Sequence, residues 1–134
     1  MLDNMESEHK FNPENEKKLP FVELRGGFVE GPISVEQLAI ITEDGEQIGS
    51  LDLVHDPFSS VVEIGSIKIE DQHRGQGFGL ATYIKLIERC KSHRRKLEST
   101  FAIGSGAVSV WEKLVKMGLA EEHKQGNQRV FISK

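Results

Sequence analysis

Between an apolar run and a helical one, residues 72–81 read QHRGQGFGLA, with Gly75, Gly77 and Gly79 at alternate positions behind Arg74. Glycine loses more conformational freedom on folding than any other residue. Three so close together therefore mark a backbone shape or a close approach that a Cβ would block. The run before the stretch, Val61–Ile69 (VVEIGSIKI), reads as a strand. The run after it, Phe78–Ser92, carries Leu80, Tyr83, Ile84, Ile87 and Cys90 at helical spacing, with Lys85, Glu88, Arg89 and Lys91 largely opposite. The glycines thus occupy a strand-to-helix turn, and the chain must fold so that a sheet strand feeds a helix.

The strand itself contains a phase slip. Val62 and Ile64 are apolar at even positions, Ile67 and Ile69 at odd ones, and strict alternation would put the two pairs on opposite faces. One extra residue at Gly65-Ser66 returns all four to one face, as a β-bulge does. A strand buried on both faces would also do without alternation, but the glycine at the slip favours the bulge.

The rest of the chain arranges itself around this unit. Residues 1–20 are polar and charged, expected to form a flexible arm ahead of a single domain spanning 21–134. Phe21–Val29 is a weak strand interrupted by Gly26-Gly27. Gln37–Thr42 and Gln47–Val54 flank Glu43-Asp44-Gly45-Glu46, a hairpin signal. Lys96–Ile103 reads as a further strand, Gly104 and Gly106 as the brackets of a turn, and Ala107–Met117 as a second helix ended by Gly118. Leu119–His123 and Gln128–Ser133 form a closing hairpin across Gly126-Asn127. Strands, helix, strand, helix, strands is the order of an α/β or α+β mixed sheet.

Composition narrows the function. A net charge of −4 speaks against a general nucleic-acid binder, and the basic run KSHRRK (91–96) fits a solvated helix C-terminus. One cysteine, Cys90, rules out an internal disulfide and fits a reducing cytoplasm. No apolar run reaches membrane-span length, and no secretory leader is evident. The expectation is a soluble cytoplasmic protein, monomer or homodimer, with no membrane or nucleic-acid partner. The histidines are scattered, so no metal-ligand spacing appears and no metal is expected.

At a strand-to-helix turn the first free N–H groups of the helix face the loop, and the helix dipole adds partial positive charge. A loop stripped of side chains lets a pyrophosphate reach them. The stretch lacks the Gly-Lys-Ser/Thr of a P-loop, and Leu80 stands where a dinucleotide fingerprint needs its third glycine. Arg74, Gly77 and Gly79 do fill R-x-x-G-x-G, which resembles the acyl-CoA loop of the GNAT superfamily of N-acyltransferases. The resemblance extends from about Gln37 to the C-terminus. Ile67 and Ile69 lie seven and five positions before the arginine, as in that family, where the strand is also bulged. Ala107, Trp111, Glu112, Lys113 and Leu114 follow its A-x-x-x-Y-E-K-L helix except at the tyrosine.

The resemblance implies a GNAT-like fold and a site for acetyl-CoA, the acetyl donor. Ile67, Ile69, Arg74, Gly75, Gln76, Gly77, Phe78, Gly79 and Trp111 are the expected coenzyme contacts, and Glu63 is the candidate general base. A cross-strand ion pair is the plainer role for Glu63. His55 beside Asp56 is a second base candidate, His73 a possible phosphate contact, and Tyr83 a core residue. Two departures matter. Trp111 replaces the tyrosine that protonates the leaving thiolate in many relatives, and an indole N–H cannot act as that acid. Only Glu30–Glu36 separates the first two strands, so the family's first two helices are missing or shortened and the acceptor side is open. The implied activity is acetyl transfer to a small-molecule or protein amine by direct attack in a ternary complex. The alternative is a catalytically silent acyl-CoA-binding or protein-interaction domain.

Overall fold

The computed structural model describes residues 19–29, 34–99 and 104–134. Most of the expected N-terminal arm lies outside the described residues. Strands β1 (Glu23–Val29), β2 (Ser34–Ile41), β3 (Gln47–His55) and β4 (Val61–Ile69) form an antiparallel meander. A single 3-10 turn (Asp71–His73) leads into α1 (Phe78–Ser92), which crosses to β5 (Lys96–Glu98), parallel to β4. Helix α2 (Ser105–Lys116) then leads to the hairpin β6 (Ala120–Gln125) and β7 (Gln128–Ser133), with β7 inserted against β5. The seven strands make one sheet in the order β1-β2-β3-β4-β5-β7-β6.

The apolar alternation decides which face is buried. Leu38, Leu51, Leu53, Val62, Ile64, Leu97 and Phe131 share one face, called inner below, with Tyr83, Leu86 and Ile87 of α1 and Trp111 and Leu114 of α2 in the same core cluster. Each such side chain, when fully buried, contributes roughly 1.5–3 kcal/mol. Both described helices therefore lie on the inner face. The bulge falls where the phase slip put it: Asp52 pairs with Ser66 and Leu53 with Ile64, leaving Gly65 as the extra residue. Val62 and Ile64 are buried, and beyond the bulge Ile67 and Ile69 pack against the same core.

Several boundaries differ from the sequence expectation. Strand β2 begins at Ser34, three residues early, because Val35 pairs with both Val29 and Val54. The connection it leaves, residues 30–33, is too short for the two helices the family resemblance would place there. Gly26-Gly27 does not interrupt β1. A Cβ at Gly26 would lie 1.9 Å from the Gln37 carbonyl oxygen, so only glycine allows β2 to approach. Strand β5 ends at Glu98, and residues 100–103 of the expected strand lie outside the described residues. Helix α2 starts at Ser105, so Gly106 sits inside its first turn rather than bracketing a turn.

The basic run after α1 is not simply solvated. Arg95 donates to the carbonyls of Asp56 (3.1 Å), Ser59 (3.0 Å) and Val61 (3.3 Å), and through Nη1 to His55 Nδ1 at 3.0 Å. Because Nδ1 accepts, His55 carries its hydrogen on Nε2 and donates it to Glu36 Oε1 at 3.0 Å. Glu36 is buried and also pairs with Arg89. Both ring nitrogens of His55 are thus engaged in holding β2, β3 and the α1–β5 loop together, which removes it as a free base.

Candidate functional site

Where β4 leaves β5, a cleft of about 810 Å³ opens on the inner face. Pairing between the two strands ends at Glu63–Glu98, and the next residue on each, Ile64 and Ser99, lines the cleft floor. One wall is the post-bulge half of β4, the other is α2 through Ala107, Val110 and Trp111, and the glycine turn forms the mouth. The bulge is the cause of the opening, since an unpaired residue increases local twist and bends the strand away from its neighbour. The volume lies within the ~300–1,000 Å³ of small-molecule and cofactor sites.

The turn is built as a backbone cradle. Gly77 caps α1 in the left-handed region at φ 90°, and Gly75 is also left-handed at φ 75°, conformations that strain any residue with a Cβ. The first intrahelical bond runs from Ala81 N–H to Gly77 O, so the N–H groups of Phe78, Gly79 and Leu80 precede the helical ladder. Gly79 has ordinary helical backbone, and its reason is space. A Cβ there would sit 3.8 Å from both Ile69 Cδ1 and Val110 Cγ2, two side chains on opposite walls of the cleft. Arg74 stands at the rim, its Nε donating to the Ile69 carbonyl (3.1 Å) and its Nη1 3.3 Å from Asp71. A guanidinium anchored in this way leaves part of its fork for an anion at the helix N-terminus.

Of the residues expected to contact a coenzyme, Ile67, Ile69, Arg74, Gly75, Gly77, Gly79 and Trp111 line the cleft. The side chains of Gln76 and Phe78 turn aside. Gln76 donates to the Gln72 carbonyl at 3.0 Å, and Phe78 packs on the core with its ring edge-on to His73. His73 also touches the cleft, but its Nε2 lies 3.6 Å from Glu46 and 3.9 Å from Glu70, so it is drawn towards carboxylates. That grouping of Glu46, Glu70 and His73 was not legible from the spacing of the histidines. Glu63 faces away from the cleft, on the outer face between Val54 and Glu98.

Two aromatic residues lie at the deep end. Trp111 is buried, stacked on Phe131 at 5.7 Å and edge-on to Tyr83 at 5.4 Å. Tyr83 is buried as well, and burial pushes its phenol up to about 12. Sequence reasoning missed Ser99, Val110 and Tyr83 as cleft residues. For Val110 the signal was present, since helical spacing from Ala107 places it on the facing stripe. Ser99 gave none, because its place follows from the hydrogen bond its Oγ accepts from Phe131 N–H, far along the chain.

Comparison with known proteins agrees with this geometry. Residues 2–115 match the acetyltransferase (GNAT) family. A search of curated proteins gave no match. Among solved structures, an acetyltransferase from Bacillus subtilis in complex with CoA superposes with a TM-score of 0.58, at 14% identity over 85% of this chain and 99% of that one. The PaiA N-acetyltransferase from Thermoplasma acidophilum, in complex with coenzyme A, gives 0.56 at 13% identity over 75% of this chain and 60% of its own. A chimera of the Vibrio cholerae spermidine N-acetyltransferase and hSSAT gives 0.58 at 16% identity, covering 74% and 66%. These likenesses carry the fold, including the mixed seven-stranded sheet. With most of its length matched by the family and a cleft where the bulged strand parts from its neighbour, the chain belongs to the GNAT acetyltransferase family.

Proposed function

We propose that the protein is an acetyl-CoA-dependent N-acetyltransferase. The observation that carries this reading is the cradle. Three N–H groups at the start of α1 face a cleft kept open by Gly79, with Arg74 at its rim. These features fit a pyrophosphate at the mouth, and the backbone of β4 beyond Gly65 offers amides to the extended pantetheine arm. The coenzyme supplies an activated acetyl carbonyl. The chain holds that group near the parting of β4 and β5, orients it and excludes water on the inner face. Calorimetry with acetyl-CoA should register binding and a rise in Tm; no heat and no thermal shift at millimolar ligand would remove the basis of the proposal.

The buried aromatics favour a second reading, a domain that binds acyl-CoA without turnover. Trp111 occupies the place of the tyrosine acid, and Tyr83 holds its proton too tightly to give it readily to a thiolate of pKa near ~8.5. Tyr83→Phe is therefore expected to leave kcat within about twofold of wild type, with a modest loss of stability. A collapse in kcat at unchanged coenzyme affinity would identify Tyr83 as the acid after all. Acetyl transfer to any member of an amine panel, followed by mass spectrometry, separates enzyme from silent binder.

A further inference from the structure

Glu46, Glu70 and His73 come from separate turns of the chain, and one ligating atom of each lies within 4.8 Å of the other two. His73 also lines the mouth of the cleft, which sets the group beside the coenzyme turn. The backbone fixes all three. Glu46 closes the turn between β2 and β3, where its carbonyl accepts from Thr42 N–H at 2.9 Å and its own N–H donates to Thr42 Oγ1 at 3.2 Å. Glu70 follows β4 directly, and its N–H reaches across to the Ile48 carbonyl at 2.8 Å. His73 stands one 3-10 turn further on, its N–H donating to the Glu70 carbonyl at 2.9 Å. The register that sets Gly49 against Ile69 is what carries Glu46 to the other two.

The spacing is that of ligands around an ion, not of a hydrogen-bonded cluster. His73 Nε2 stands 3.6 Å from Glu46 Oε2 and 3.9 Å from Glu70 Oε1, beyond the ~2.7–3.2 Å of an N–H···O bond. Among the described residues the imidazole makes no side-chain hydrogen bond, although its side chain is only 19% exposed. Atoms ~2.0–2.2 Å from a tetrahedral metal lie ~3.3–3.6 Å apart, so a small rotation of the two half-exposed carboxylates closes the set. The groups that orient the ligands are in place. The His73 ring is held edge-on to Phe78, and Gln72 Nε2 donates to Glu70 Oε1 at 3.2 Å. Asp44 is engaged by Thr42 Oγ1 and Arg74 by Asp71, so neither the next carboxylate nor the next cation is drawn in. We propose that Glu46, Glu70 and His73 bind a divalent transition-metal ion, zinc by the chemistry of the set, and that the ion braces the coenzyme turn. One imidazole and two carboxylates with open positions suit Zn²⁺, whereas Mg²⁺ prefers oxygen ligands and keeps its waters. Glu70 and His73 bracket the 3-10 turn, and the next residue is Arg74 at the cleft rim. An ion held there fixes the start of the loop and offsets two carboxylate charges beside a cleft suited to an anion. Metal and coenzyme should then strengthen each other's binding by the same factor. The site stands on its own geometry, and the coupling rests on the acyl-CoA reading.

Calorimetry of the full chain with Zn²⁺ alone tests the site, with Mg²⁺ as the comparison ion. Zn²⁺ should bind at one ion per chain, raise Tm and shift the His73 ring resonances in NMR spectra. Glu46→Gln sits at an exposed turn and should keep the fold while weakening Zn²⁺ by at least ~10-fold, since even changes to outer-shell partners cost ~10–100-fold. No Zn²⁺ binding, or binding that Glu46→Gln and His73→Asn both leave unchanged, overturns the site. Equal binding of Mg²⁺ overturns the assignment to zinc. Titration with acetyl-CoA, whose sulfur is blocked from the metal, then reads the coupling. Zn²⁺ should raise its affinity ~5-fold or more in wild type, and Glu46→Gln should lose that rise. Zinc binding with an unmoved acetyl-CoA affinity overturns the bracing role. A chain that binds Zn²⁺ but no acetyl-CoA refutes the coenzyme reading, and the coupling with it.

Discussion

Gly79→Val abolishes coenzyme binding and leaves the fold in place: this is the expected result with the sharpest structural cause. The backbone at Gly79 is ordinary helix, so valine adopts it without left-handed strain, and its Cβ meets nothing closer than 3.8 Å. The two branches beyond that Cβ project between Ile69 and Val110, into the width of the cleft. Overpacking against fixed walls costs roughly 1–3 kcal/mol. Affinity for CoA should fall by ~10²-fold or beyond detection, while Tm falls by about 3–12 °C and the unfolding transition stays cooperative. Gly77→Val is a less clean variant than the sequence alone implies. There the left-handed φ adds strain of about 1–2 kcal/mol, and a Cβ would press on Pro20 Cδ at 3.1 Å, so stability falls together with binding. Calorimetry with CoA on folded Gly79→Val is the measurement, and wild-type affinity would mean that the glycines form only a turn.

What could be read from the sequence was local. The bulge was legible because a two-residue period broke at a glycine, and the cradle because glycines crowded a strand-to-helix turn. What escaped depended on partners distant in sequence. Glu36 looked like part of a connection, since nothing near it in the chain explains a buried carboxylate. Its partners His55 and Arg89 come from β3 and α1. Arg95 looked like one more cation in a basic run, yet it secures two carbonyls of the loop before β4 and that of the strand's first residue, Val61. That Glu98 stands opposite Glu63 was not legible either, because only the parallel register pairs them. Periodicity reports which face a residue takes, and only the fold reports what faces it there.

Trp111→Ala should unfold a large fraction of the stability that the C-terminal half contributes. The indole is 1% exposed and is clasped between the Phe131 ring, nearly parallel at 11°, and the Tyr83 ring at 88°. Removing a buried tryptophan costs roughly 3–5 kcal/mol, a large share of the ~5–15 kcal/mol available to a domain. Tm should fall on the order of 10–20 °C. The ring contacts join α2 to β7 and α1, so the loss also loosens the wall of the cleft, and coenzyme affinity should drop with stability. Trp111→Tyr separates packing from chemistry. It keeps an aromatic ring against Phe131 and Tyr83 while returning a phenol to the deep end of the cleft. If the domain transfers acetyl groups, wild-type turnover proceeds without a dedicated acid, which general acid catalysis puts at a handicap of ~10²–10⁴-fold. Trp111→Tyr should then preserve or raise free-thiol release across an amine panel, at unchanged acetyl-CoA affinity. A silent binder would release no thiol in either form. Robust wild-type turnover destroyed by Trp111→Tyr would defeat both readings, since it would make the indole itself part of the chemistry.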